Sequence, residues 1–520
     1  MPHLRTTVVL LILTGILYRL WPIAAGMPNL WSFFLTEDGY LMLTVSRNMA
    51  IGNGMSVSDG TIATNGVQPM IAFLFSLPYL ATSGDKVTSL IGIHLIHTGI
   101  AFAALFAIRA FAARILAPRD VSPVWPWAAA LLWFLAPLLL RHSMNGLETG
   151  LYTLVLILTL LVFARVLDTG ETATAGQRLG LGVMCGLAVL ARNDAVFLVA
   201  AIFLTWAGVT LFVHRQSFTT MLVRLVPPGL LSIAVAAPWL INNKLRFGSI
   251  VPVSGTAQSA GAEFGQNAPL LPAKLFENAF PMLPLPGGLE TNPTVMGIAT
   301  LGVALGMLLF LIRILRHGTS TARTITFAFL LYGTALAFYY GFLFGAAHFL
   351  SRYLAPLAPL MIIAALAASL ELGRFLIRKY PEALAWVYAG GGITLSLVLL
   401  TRALFPGVTL QGHEQVVAWT QENVPPETWV GAVQTGTLGY WHDRTYNLDG
   451  KVNPEALATR LQEGHVLNYV VDSEIDYVID WAGVGDWVNF EVAQNSFADA
   501  FELIVQDYEA NLSIMRRRSP

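Results

Sequence analysis

About eleven apolar runs, most of them close to the length a helix needs to cross a hydrocarbon core, recur along the chain. They cover 7–25, 88–108, 124–140, 150–166, 179–191, 195–212, 221–240, 295–312, 324–344, 354–372 and 383–400. With 55% hydrophobic and only 12% charged residues, this pattern excludes a soluble globule and predicts an α-helical polytopic membrane protein. A formal charge of -1 gives no sign of nucleic-acid binding. Cys185 is the single cysteine, so no disulfide forms within the chain. The start reads as an uncleaved anchor rather than a signal peptide, because Arg19 interrupts the run and Trp21-Pro22 reads as an interface exit.

Whether segment 67–81 crosses decides the topology downstream of it. A full crossing would put Arg109, Arg114 and Arg119 on the same side as the acids Glu37 and Asp38. A helix lying in the outer leaflet instead lets basic residues collect on the cytoplasmic side throughout. That side then receives Arg5, Arg109, Arg114, Arg119, Arg165, Arg178, Arg215, Arg224, Arg313, Arg316, Arg323, Arg374, Arg378 and Lys379 in short loops. The longer outer loops hold fewer, so the N-terminus is expected inside and the C-terminus outside. The inner loops contain no Walker-type glycine loop.

Unusual polar residues gather on the outer face: Glu37-Asp38, the loop around Asn65 and Gln68, the turn Asn145-Gly-Leu-Glu148, the turn Arg192-Asn-Asp194, the loop with Lys244 and Arg246, and the segment His348-Phe-Leu-Ser-Arg352-Tyr353. Charge is scarce here, so two adjacent carboxylates at a span boundary call for a specific explanation. They are either chemical groups or caps on the helix that starts near Gly39. The run 179–191 spans only ~20 Å as a helix, against a core of about 30 Å. Arg192 and Asp194 should therefore sit below the outer surface in a cavity, or pair to cap the next helix. Asn145 to Glu148 has capping-box spacing, the structural reading of Glu148.

Beyond Gly407 the composition turns soluble. HEQVVAWTQENV reads as a helix, TWVGAV as a strand, GTLGYW as a turn, NPEALATRLQEG as a capped helix and IDYVIDW as a buried strand. The division expected is a membrane domain over 1–404, with outer-leaflet helices in 26–87, and an extracytoplasmic α/β domain over 405–520. Trp429, Tyr440, Trp441, Tyr446 and Trp481 either form that domain's core or stack on sugar rings.

The acidic pair after the first span, YLMLTVSRNMA, IGNGMSV, NGVQP, NGLET, ARND and SRYLAPLAPL together resemble the GT-C superfamily of integral-membrane glycosyltransferases. The layout is similar to protein O-mannosyltransferases, the lipid A aminoarabinose transferase and the arabinofuranosyltransferases. That resemblance implies a multi-pass protein of the bacterial inner membrane with a periplasmic C-terminal domain. It implies inverting transfer of a hexosyl or pentosyl group from a polyprenyl-phosphate donor to a glycan, lipid or protein acceptor. It makes Asp38 the base, with Glu37 orienting it or the acceptor, although Glu-Asp stands where Asp-Asp or Asp-Glu is usual.

A guanidinium suits a phosphate, so Arg352, beside His348 and Tyr353, is the phosphate candidate, with interfacial anchoring as its alternative. Asn65 and Gln68 could bond sugar hydroxyls or only shape a turn. Lys244 and Arg246 could steer an anionic head group or be solvated. Arg19 either snorkels outward or touches lipid phosphate. His94 and His97 lack a third ligand and read as a packed polar pair, so neither a metal nor another cofactor is expected. Two rivals remain: a secondary transporter, which should show repeated halves, and a non-catalytic envelope-assembly scaffold.

Overall fold

The apolar runs fold as expected into helices, and among the described residues nine are long and apolar enough to cross a membrane. The computed structural model describes residues 2–116, 122–283, 285, 287–404, 413–490 and 496–518. Arg119 and the proposed domain boundary at 404/405, which opens onto 405–412, lie outside or at the edge of these residues. The nine are His3–Ala25, Lys86–Leu116, Thr149–Thr169, Asn193–Val213, Phe218–Phe247, Pro293–His317, Ser320–Leu343, Ala347–Leu376 and Ala383–Leu404. A tenth is the pair Val124–Leu135 and Pro137–Met144, bent by 61° where Pro137 follows the first helix. The eleventh expected span is the helix Ala175–Ala191, too short to be counted as a full crossing. Large apolar side chains such as Leu17, Phe212 and Leu301 stay 69%, 80% and 70% exposed, as a surface built for lipid requires.

Segment 67–81 forms the short helix Pro69–Ala81. It buries Ile71, Ala72, Phe75 and Tyr79 against the protein and leaves Phe73, Leu77 and Leu80 exposed on the opposite side. Before it, Glu37–Ala50 forms a helix whose cap is Thr36, whose Oγ1 accepts from the Gly39 N–H. Both acids therefore lie in the first turn with their carboxylates left free of capping. The hairpin β1 (Ser56–Val57) and β2 (Ile62–Ala63) joins the two helices.

In the C-terminal domain β3 (Val430–Ala432), β4 (Thr445–Asn447), β5 (Tyr477–Asp480), β6 (Phe501–Asp507) and β7 (Leu512–Arg517) form a mixed sheet of order β4-β3-β5-β7-β6. Strand β3 runs parallel to β4 and β5, and β7 antiparallel to β5 and β6. Glu414–Asn423 and Pro454–Glu463 are helices, the latter capped by Asn453. GTLGYW, expected as a turn, is instead the short helix Gly436–Trp441.

That helix docks on the membrane domain. The Tyr79 hydroxyl donates to that of Tyr440 at 3.0 Å, and Tyr440 donates to the Lys86 carbonyl at 2.7 Å. Trp441 meets Trp31 edge-on with ring centres 5.4 Å apart, and Asp443 pairs with Arg47 and Lys86 at 3.0 Å each. Tyr440 and Trp441 thus take part in the interdomain contact, and Trp441 also packs on the C-terminal domain's own core.

One span residue departs from expectation, whereas the two histidines are packed as expected. Arg19 neither snorkels nor reaches a phosphate: it is fully buried, donates to the Gly15 and Phe134 carbonyls, and lies 4.0 Å over the Phe134 ring. His94 is buried with its Nε2 at 2.9 Å from the Leu30 carbonyl, and His97 packs on Phe75.

Candidate functional site

A cavity of about 450 Å³ opens where several spans end. Glu148 precedes one span, Arg192 to Asp194 begin another, Tyr340 closes a third and Arg352 opens a fourth. The Glu37–Ala50 helix brings in Asp38, and the Pro252 to Gln258 segment closes one side.

The acidic turn is set by the NGLET turn, because the Thr36 N–H and hydroxyl both donate to the Asn145 carbonyl, at 3.2 and 3.1 Å. Asp38 then meets two cations: Arg352 Nη1 donates to Oδ2 at 3.0 Å and Lys451 Nζ to Oδ1 at 3.3 Å. Burial would raise the Asp38 carboxyl, but Arg352 and Lys451 outweigh it and hold the group below the usual carboxylate range. Glu37 points elsewhere. Its carboxylate accepts from the Gly436 N–H, from the Thr437 N–H at 3.0 Å and from the Thr437 hydroxyl at 2.5 Å. Burial lifts its carboxyl above the usual range, against those bonds. It does not line the cavity; it fastens the C-terminal domain beside the residue that does.

Arg192, 3% exposed, pairs with Asp194 at 3.0 Å and approaches Glu148 at 3.8 Å. Tyr340 donates to Asp194 Oδ2 at 2.7 Å and stacks on Tyr353 with ring centres 4.4 Å apart. Neither Arg192 nor Glu148 caps a helix through its side chain. The capping box is replaced by a tighter turn in which Asn145 Oδ1 accepts from the Leu147 N–H. Arg192 Nη1, Asp194 Oδ1 and Arg352 Nε are buried without a hydrogen-bond partner, polar capacity in the wall of the cavity.

The cavity therefore gathers Asp38, Gln68, Glu148, Arg192, Asp194, Arg352 and Tyr353. It does not gather the other candidates. Asn65 is buried, with Oδ1 accepting from the Val253 N–H at 3.0 Å, which fixes the segment that closes the cavity. Lys244 and Arg246 are exposed, and Lys244 donates to the Gly248 carbonyl at its helix end. His348 is exposed and packs on Phe349. Lys451, Tyr340 and Gln258 were missed from sequence. Lys451 follows an Asp-Gly turn, which places it at a loop tip, but its partner Asp38 is 413 residues away. Among the described residues no group of three or more His, Cys, Asp or Glu is arranged to hold a metal ion.

Fold and cavity define a helical, multi-pass membrane protein with a largely apolar chamber, carrying a few charged groups, at one end of its spans and a domain closed over it. Over its whole length the chain is similar to ArnT from Cupriavidus metallidurans. The undecaprenyl-phosphate-bound form aligns at TM-score 0.57 and 11% identity, covering 98% of each chain. The apo form aligns at 0.58 and 12%, with the same coverage. The archaeal oligosaccharyltransferase AglB from Archaeoglobus fulgidus, in complex with an inhibitory peptide and a dolichol-phosphate, aligns at 0.56 and 12% over 96% of this chain and 73% of that one. Both relatives are GT-C proteins, so the fold is GT-C. Residues 406–516 match a family model described only as a domain of unknown function. No curated protein sequence matches the chain.

Proposed function

We propose that this protein is an inverting glycosyltransferase that moves a sugar from a polyprenyl-phosphate donor to an envelope glycan, lipid or protein acceptor at the outer face of a bacterial inner membrane. The observation that carries this reading is the Asp38–Arg352 pair at 3.0 Å, each side chain 12% exposed, in a chamber of otherwise largely apolar lining. A carboxylate at such a position can take the acceptor's hydroxyl proton while the anomeric carbon is attacked. A guanidinium beside it can hold the departing phosphate through paired hydrogen bonds. Phosphate leaves without being protonated, so one base suffices. The lipid-linked phosphates bound by the two fold relatives support the donor class. The excess of cytoplasmic arginines supports an outward-facing chamber. No repeated halves are evident in sequence to favour a transporter.

The test uses the purified chain in lipid with polyprenyl-phosphate sugars and envelope acceptors. Asp38→Asn, which keeps shape and removes the base, should lower transfer at least about 100-fold while the protein stays folded. Undiminished transfer by this variant would refute the base assignment, and a wild-type chain inert with every such donor would refute the reading. Gene deletion followed by mass spectrometry of envelope glycans and polyprenyl-phosphate sugars would identify donor and acceptor through what accumulates and what goes missing.

A further inference from the structure

Among the described residues that line the chamber, Lys451 alone comes from the C-terminal domain. Its backbone is held from both sides. Asp449 Oδ1 accepts from the Lys451 N–H at 2.8 Å, and Asn447 Oδ1 accepts from the Gly450 N–H at 3.0 Å. Arg460 ties this turn to the chamber wall, donating to the carbonyls of Asp449 at 2.6 Å and Ala257 at 2.8 Å. Across the chamber mouth Gly66 comes so close that a Cβ there would lie 2.2 Å from the Lys451 carbonyl oxygen. A flexible side chain set on so fixed a backbone reaches one region of the chamber with little ordering cost.

Lys451 Nζ lies 3.3 Å from Asp38 and 3.2 Å from Asp449. Asp38, Asp449, Arg352 and Lys451 together carry no net charge, so this cluster is self-neutralised. A lysine serving only to brace its own turn would be satisfied by Asp449 alone; this one reaches across the domain boundary to the carboxylate that the transfer reaction needs free. We propose that Lys451 is a direct ligand of the donor's phosphate, so that the C-terminal domain completes the active site. This rests on the glycosyltransferase reading above.

On donor binding, Arg352 and Lys451 turn from Asp38 to the phosphodiester, which carries one negative charge. As the acceptor oxygen forms its bond to the anomeric carbon, the bond from that carbon to the phosphate oxygen breaks and its electron pair leaves with the phosphate. The acceptor proton passes to Asp38. Asp38 loses a negative charge as the phosphate gains one, so the two cations stay where negative charge accumulates. Uncovering Asp38 and gripping the leaving group become one motion of two side chains.

The test measures binding of a polyprenyl monophosphate and of the polyprenol of equal chain length to the full-length protein in nanodiscs. Wild type should prefer the phosphate. Lys451→Gln should weaken phosphate binding at least about tenfold and leave the polyprenol unchanged, while Lys451→Arg retains most of the preference. A Lys451→Gln protein with the wild-type preference overturns the proposal. If Arg352→Gln nevertheless loses that preference, the broader reading stands. A wild-type chain without any preference defeats both. Labelling of the wild-type lysine with an amine-reactive reagent needs no folded variant: polyprenyl phosphate should protect Lys451 and polyprenol should not. Equal labelling under the two lipids would also overturn the proposal.

Discussion

Asp38 is held ionised by the cations that a donor would take from it, and its acidity can be read from outside. A base acts only when deprotonated, and its folded carboxyl lies below the usual range because Arg352 and Lys451 outweigh burial. The acid limb of kcat/KM, which reports the free enzyme, should therefore fall below about pH 4. Arg352→Gln removes one attraction and leaves burial in place, so that limb should move up by about one pH unit or more. A limb that stays put in this variant would show that another group sets it. The pair Arg192–Asp194 tests a different physics. Both partners are under a tenth exposed, and Asp194→Ala leaves a buried guanidinium facing Glu148 at 3.8 Å. Removing one partner of a buried pair costs about 3–5 kcal/mol, here toward the lower end because Glu148 remains. Thermal unfolding in detergent should show the loss, and an unchanged transition would mean that water already reaches the pair.

At the scale of elements, the helix Pro69–Ala81 has two faces with different neighbours. Single cysteines at Phe73, Leu77 or Leu80, in a Cys185→Ser background, should be quenched by lipids labelled in the outer leaflet; one at Phe75 should not. Equal quenching at all four would remove the membrane-resting assignment. Local pattern made such elements legible. The apolar runs located every span, the shortness of 179–191 foretold Arg192 and Asp194 at the chamber wall, and Asn453-Pro454 announced a helix start. What the pattern could not supply was company. Gly436–Trp441 is a helix because it packs against Glu37–Ala50 and Tyr79, contacts that its own six residues do not encode. Arg19 looked like an interface residue until Phe134 from another span covered it. Lys451 and Asp38 each read as isolated charges, since a loop tip carries no periodicity to say which distant element it meets.

In the whole molecule, a short contact at Glu37 joins the Lys451 and Arg460 contacts in coupling the two domains at the chamber. Glu37 receives the first N–H groups of the Gly436–Trp441 helix, where a carboxylate is favoured by unpaired donors, and its neighbour Asp38 faces the cavity. At Gly436 a Cβ would fall 1.8 Å from the Glu37 carbonyl oxygen, a backbone atom that cannot swing aside. Gly436→Ala should therefore push the domain off this contact at a cost of about 1–3 kcal/mol. It should also displace the first turn that carries Asp38. The displaced turn predicts two changes measured on one preparation. Hydrogen exchange should rise in the Glu37–Ala50 helix and in 433–441, while β5 and β7 keep their protection because the sheet's own core is untouched. Sugar transfer should fall although Asp38, Arg352 and Lys451 are all still present. Faster exchange confined to the C-terminal domain with full transfer would mean that the domain rides on the chamber without shaping it. Loss of both together would locate the active geometry in the joint between membrane and C-terminal domains.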